Sequence, residues 1–121
     1  LEYGFTKAYD YYNISTDIDD IADDPVLPSS FELNQNYPNP FNMATTISFD
    51  LPSSGHVQLD VYNVLGQKVT QLASGEYPAG TVSINWDGRD RNGNDLASGT
   101  YFYRMTLNGS ETTTKKLMIL K

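Results

Sequence analysis

An all-β sandwich is the fold predicted for this 121-residue chain, on three observations. From Phe31 onward, short segments alternate apolar with polar residues, the period of two that a half-buried strand requires. Gly, Pro and Asn punctuate these segments at the spacing of an all-β domain. Two prolines one residue apart, in Asn36-Tyr37-Pro38-Asn39-Pro40-Phe41-Asn42, exclude helix and interior strand there. Each fixes its own φ and pushes the residue before it toward extended geometry.

The elements follow in order. Phe31 to Leu33 reads as a short first strand. The 36–42 heptad is a rigid ribbon with an aromatic at each end, Tyr37 and Phe41, suited to lie across an open sheet edge as a lid or clasp. Asn39 and Asn42 are there to satisfy backbone groups that proline cannot. Ile47, Phe49 and Leu51 alternate with polar residues and stop at Pro52; Val57, Leu59 and Val61 do the same after Gly55. Asn63-Val64-Leu65-Gly66 makes a turn, with Gly66 free to take a positive φ. Lys68 to Leu72 is a short strand with Val69 inward, and a loop through Ser74-Gly75 and Pro78-Ala79-Gly80 leads to a strand carrying Val82, Ile84 and Trp86.

Gly99 to Asn108 is the longest expected strand, with Tyr101, Tyr103, Met105 and Leu107 on one face and Phe102, Arg104 and Thr106 on the other. Asn108-Gly109 signals a two-residue hairpin, and the final strand runs from Glu111 to Leu120. This makes seven strands over residues 31–121, one sandwich domain. Residues 1–30 are read as an extension or linker. Leu1, Tyr3, Phe5, Lys7, Tyr9 and Tyr11 alternate as in an extended strand, and Ile14, Ile18 and Ile21 space a short helical turn among aspartates. Asp23-Asp24-Pro25 and Pro28-Ser29-Ser30 read as linker. With Leu at position 1 and no signal peptide, the chain reads as an excised piece of something longer.

Charge narrows the function classes. Of the net −7, residues 1–30 carry −6, and the sandwich is nearly neutral. A basic nucleic-acid footprint is absent, and no apolar run reaches the length of a membrane span. The lack of cysteine excludes disulfides, thiolate catalysis and Cys-ligated metals.

Candidate chemistry is sparse. Asp87 to Asp95 clusters oxygens as a calcium loop does, yet reading Gly93 as the invariant glycine puts Gly88 where the first Asp ligand belongs, so a tight hairpin is the better account. Asp17, Asp19, Asp20, Asp23 and Asp24 read as a solvated acidic linker. His56 is the sole histidine, and no nucleophile-elbow pattern accompanies it. Tyr62, Tyr77 and Phe102 are candidates for a sugar-stacking face, although core packing accounts for most aromatics first. No catalytic residue, metal ligand or cofactor is nominated.

The ordered set of marks resembles one family, the C-terminal sorting domain of type IX (Por) secretion found on exported proteins of Bacteroidetes. The marks are the 36–42 heptad, Val61 to Val69, Ala79-Gly80 leading to Trp86-Asp87-Gly88, Asp90, Gly93, Ala97-Ser98-Gly99, Tyr101 to Arg104, and Lys116 to Lys121. Met43 departs from the proline usual after Phe-Asn. The resemblance implies an immunoglobulin-like sandwich of about seven strands, related to the Ig-like domain of the flagellar hook-capping protein. It also implies a non-catalytic address on a secreted or cell-surface protein, read by the outer-membrane translocon and commonly removed by a surface protease.

Recognition is expected at the last strand, with Lys115, Lys116 and Lys121 as charge contacts and Leu117 and Ile119 as core anchors. Tyr37, Pro38, Asn39, Pro40, Phe41, Trp86, Asp87 and Gly88 are the structural motif. A competing class is structural: an extracellular filament subunit whose residues 1–13 pair as a donor strand with a neighbouring sandwich through Tyr3, Phe5, Tyr9 and Tyr11. Residues 1–30 are then either the tail of a preceding cargo domain or that donor segment.

Overall fold

A computed structural model describes residues 27–121. Seven strands appear there: β1 (Glu32–Leu33), β2 (Thr45–Leu51), β3 (Gly55–Tyr62), β4 (Lys68–Tyr77), β5 (Gly80–Trp86), β6 (Gly99–Leu107) and β7 (Glu111–Ile119). They form two antiparallel sheets, β1-β2-β5 and β4-β3-β6-β7. No helix is present among the described residues, hence none long and apolar enough to cross a membrane.

The alternating residues do what period two requires. Ile47, Phe49 and Leu51 from β2 meet Val57, Leu59 and Val61 from β3, Tyr103 and Met105 from β6, and Leu117 and Ile119 from β7, all completely buried. Burying each such aliphatic side chain contributes about 1.5–3 kcal/mol relative to leaving it exposed. Tyr77 also turns into this layer, its ring edge-on to Phe49 at 5.6 Å.

Three local expectations are corrected. The strand beginning at Lys68 continues to Tyr77, through the stretch read as loop. Its pairing with β3 slips twice: Leu59 faces Ala73 and Asp60 faces Gln71, then Val61 faces Thr70 and Tyr62 faces Lys68. Leu72 and Val69 are the supernumerary residues, and each bulge breaks the period of two that a sequence pattern relies on. The β6–β7 connection has three residues, since Leu107 pairs with Glu111. Asn108 and Gly109 both take positive φ (54° and 74°), and the Ser110 N–H closes the turn on the Leu107 carbonyl at 3.2 Å. The longest strand is accordingly β4, not β6.

The segment from β1 to Phe41 changes sheets. Glu32–Leu33 pairs with β2 in the first sheet, whereas Phe41 makes a parallel bridge to Ile119 at the outer edge of the second. Between them Tyr37 still makes an isolated antiparallel bridge to Thr46 of β2, with N–H···O bonds of 3.0 and 2.9 Å, and Pro38, Asn39 and Pro40 then carry the chain across to the other layer outside any ladder. Both X-Pro bonds of the ribbon, Tyr37-Pro38 and Asn39-Pro40, are cis.

Candidate functional site

The ribbon and the end of β7 form one hydrogen-bonded unit. The Phe41 N–H donates to the Met118 carbonyl at 3.1 Å, and the Leu120 N–H donates to the Phe41 carbonyl at 2.8 Å. Asn39 adds a third bond, its Oδ1 accepting from the Met118 N–H at 2.9 Å. Upstream, Gln35 Nε2 donates to the Lys116 carbonyl at 2.8 Å. Among the described residues, the outer edge of β7 is therefore occupied from Lys116 to Leu120 and unpaired from Glu111 to Lys115.

Polar groups buried under the ribbon are paired. Asn36, 2% exposed, donates from Nδ2 to Thr45 Oγ1 (3.0 Å) and to the Pro38 carbonyl (3.2 Å). Its N–H donates to the Tyr103 hydroxyl at 2.9 Å, and that hydroxyl donates to the Asn34 carbonyl at 2.7 Å. Burial pushes the Tyr103 phenol up to about 12, against the opposing pull of the Asn36 N–H. Asn42 is exposed, and Asn36 holds the inner position instead.

The aromatic anchor is Phe41, buried against Trp86 with ring centroids 5.7 Å apart and planes at 57°. Trp86 Nε1 donates to the Arg89 carbonyl at 3.0 Å, which fixes the start of the 87–95 loop. Gly88 passes directly beneath Phe41 with φ +75°, and a Cβ there would lie 3.3 Å from Phe41 Cε2. The loop is a hairpin built on Asp90, whose Oδ1 accepts from the Asn92 and Asn94 N–H groups at 2.9 and 3.0 Å. Among the described residues, no cluster of three or more His, Cys, Asp or Glu is arranged to hold a metal ion. Arg91 reaches back to β4, its Nη2 donating to the Lys68 carbonyl and its N–H to the Val69 carbonyl.

Lys121 joins this end of the sandwich. Its N–H donates to Ser98 Oγ at 2.8 Å and its Nζ lies 3.6 Å from Asp95 Oδ1, which also accepts from Arg89 Nε at 3.1 Å. The Arg89 hydrogen bond, then the Lys121 charge, holds the Asp95 carboxyl below its usual value. The structure thus brings Tyr37 to Phe41, Trp86 to Gly88, Leu117, Ile119 and Lys121 to one end of the molecule.

The candidate recognition residues divide by face. Leu117 and Ile119 point inward and are fully buried, Lys115 is half-buried on that face, and Lys116 is exposed on the other. Met118 and Leu120, which share the outward face with Lys116, were absent from the sequence-derived set although alternation alone places them opposite Leu117 and Ile119. With Tyr37 (81% exposed) and Met43 (79%), they are among the large apolar side chains left in solvent. A shallow groove of about 390 Å³ beside them is lined by Pro38, Pro40, Met43, Ala44 and Leu120. Tyr3, Phe5, Tyr9, Tyr11 and the 17–24 aspartates lie outside the described residues.

A family model described as the FlgD Ig-like domain matches residues 34–111. No curated protein matches the chain. Among solved structures, dimeric latent PorU from Porphyromonas gingivalis is similar at 21% identity with a TM-score of 0.62, over 80% of this chain and 10% of that one. PorZ of the same organism, described as an essential bacterial surface component of the type-IX secretion system, is similar at 19% identity and a TM-score of 0.48, over 75% and 11% of the two chains. FlgD from Xanthomonas campestris, described in connection with the hook capping essential for flagellar assembly, is similar at 28% identity and a TM-score of 0.50, over 76% and 63%. The chain thus spans about a tenth of the length of PorU and PorZ. The likeness to PorU is one of fold.

Proposed function

The chain belongs to the FlgD Ig-like domain family, and on that premise we propose that it is a non-catalytic sorting module, addressing an exported protein to the outer-membrane type IX translocon and the cell surface. Residues 31–121 form the module, and residues 1–30 are the tail of the cargo that precedes it. The observation that carries this reading is the bonding of Phe41 and Asn39 to Met118 and Leu120. The first and last sequence marks of the sorting-domain resemblance are one physical feature, so a receptor that read this end would read a folded surface.

Recognition on this account uses what is exposed there: Lys116, Met118 and Leu120 on the outward face of β7, with Tyr37 and Met43 beside them. Leu117 and Ile119 act indirectly, as the buried anchors that hold the strand in register. The partners are the translocon and, after export, a surface protease.

The test is export of a reporter fused ahead of residues 1–121 in a bacterium with a type IX system. The double variant Met118→Asp/Leu120→Asp changes only exposed side chains and is expected to leave the melting temperature within a few degrees while lowering surface-delivered reporter about tenfold or more. Wild-type delivery by this folded variant would overturn the proposal.

A second reading, the filament subunit, would need an extended segment of another copy to add along β7 between Glu111 and Lys115, a stretch whose short, polar character works against it. Its mark is assembly at micromolar concentration that disappears on deletion of residues 1–13.

A further inference from the structure

The outward face of the second sheet holds a feature that neither the clasp nor the core uses. Cross-strand register places Lys68, Tyr62, Phe102 and Lys116 in one row across β4, β3, β6 and β7. Arg104, one step along β6 on the same face, lays its guanidinium over the Tyr62 ring, 4.8 Å from the centroid, and donates from Nη2 to the Tyr62 hydroxyl at 2.6 Å. A groove of about 330 Å³ opens here, lined by Tyr62, Val64, Phe102, Arg104 and Thr114. We infer that this groove is a binding site for a glycan that carries a carboxylate or phosphate group.

Charge is the first argument. Asp60 stands opposite Arg104 in register, yet its Oδ1 already accepts from Gln71 Nε2 at 2.9 Å and lies 3.6 Å from Lys68 Nζ. Among the described residues no carboxylate comes within ion-pair distance of Arg104. A planar guanidinium steadied on an aromatic ring, with no carboxylate partner among the described residues, is a preorganised fork for a carboxylate or phosphate. Lys116, exposed at the end of the row, adds a second cation.

Shape is the second argument. The volume sits at the small end of ligand sites, the size of one or two sugar rings. Phe102 offers an apolar wall for the C–H face of a sugar, while Thr114 and the guanidinium serve its hydroxyl and acid groups. The rim is rigid: Asn63 Oδ1 accepts from the Leu65 and Gln67 N–H groups at 2.9 and 3.0 Å, and Asn63 Nδ2 donates to Gln67 Oε1 at 2.9 Å. That turn holds Val64 at the mouth of the groove, 67% exposed. A peptide is the less suited occupant, because β3 and β6 are interior strands whose main-chain groups are spent in the sheet ladders.

The site shares only Lys116 with the translocon reading and is tested without it. Amide and side-chain NMR shifts of the full 121-residue chain are followed against a glucuronate-bearing hyaluronan tetrasaccharide, a galacturonate trimer, a sialyl-lactose and mannose 6-phosphate. Cellotetraose, inorganic phosphate and a tetra-glutamate peptide are the comparison probes. Expected are shifts centred on Tyr62, Phe102, Arg104 and Thr114 with at least one acidic saccharide, about tenfold stronger binding than the comparison probes, and about tenfold weaker binding in Arg104→Gln, the loss of one charge-assisted contact. Arg104→Lys, which keeps charge but loses the fork, is expected to fall between. Thermal melts establish that both variants are folded; were Arg104→Gln unfolded, Lys116→Gln and Arg104→Lys would carry the comparison. No shifts with any acidic saccharide at millimolar concentration, equal response to cellotetraose, phosphate or the peptide, or unchanged binding in the folded Arg104 variants would overturn the inference.

Discussion

A methyl group added at Gly88 meets two separate obstacles. The backbone there has φ +75°, where an L-residue is strained by about 1–2 kcal/mol, and the new Cβ would stand 3.3 Å from Phe41 Cε2 and 3.8 Å from Ile119 Cδ1. Gly93, with φ +84° and no atom within 4 Å of its Cβ position, faces only the first. Gly88→Ala is therefore expected to cost about 1 kcal/mol more than Gly93→Ala, the added steric term of pushing into a packed contact. Urea denaturation of the two variants checks this; equal losses would mean that Phe41 gives way freely. Tyr103 makes a second residue-scale prediction. Its phenol is raised to about 12, so between pH 10 and 12 the folded chain keeps a proton that the unfolded chain has released. Stability is intact below pH 10 and falls as pH rises through that window, by roughly 2–3 kcal/mol from this group. Tyr103→Phe should remove that component of the alkaline loss while costing about 1–3 kcal/mol at neutral pH, because the Asn36 N–H and Asn34 carbonyl lose their shared partner. An unchanged alkaline profile in the variant would remove Tyr103 from the account.

At the scale of elements, the clasp is the joint that is open to direct measurement. Asn39 supplies a bond that the strand end receives from a side chain, since the ribbon offers only the Phe41 amide and carbonyl as main-chain partners. Asn39→Ala is expected to cost about 0.5–1.5 kcal/mol and to speed hydrogen exchange at Met118 more than at Met105, whose amide lies in an interior strand. Uniform exchange changes would show the clasp to be no local unit. The same element marks the limits of legibility. Proline spacing sufficed to read a ribbon, and alternation sufficed for β2, β3, β5 and β6, because one face of each is apolar without interruption. It failed across β4: Ala73 to Tyr77 pair regularly with β3, yet two of their core-side positions are the small Ala73 and Gly75, and the bulges at Leu72 and Val69 shift the phase before them without compositional trace. The residues proposed for recognition split in the same way. Leu117 and Ile119 were legible as core anchors, while Met118 and Leu120 were passed over although the same period places them outward. The row from Lys68 to Lys116 joins residues from four separate strands, so only the registers bring it together.

For the whole molecule, the question is whether a sandwich whose two sheets end in four edge strands stays alone. Each outer strand of the larger sheet is part covered: Arg91 bonds the Lys68 and Val69 carbonyls of β4, and the ribbon and Gln35 occupy β7 from Lys116 onward. What remains on β7 is Glu111 to Lys115, five residues that begin with an acid and end with a base and carry no large apolar side chain. Short, polar edges of this kind oppose pairing between copies. The other sheet has β1 and β5 as its edges: β1 is only two residues long and gives little template, and β5 turns the polar Thr81, Ser83 and Asn85 outward. The 121-residue chain is accordingly expected to sediment as a monomer across the micromolar range, and a version lacking residues 1–13 to behave identically. Concentration-dependent growth of the intact chain, lost in the shortened one, would instead establish residues 1–13 as a donor strand and favour the filament subunit over the sorting module. Growth retained in both would point to Tyr37, Met43, Met118 and Leu120 as the contact, a case that Met118→Asp/Leu120→Asp separates by restoring the monomer.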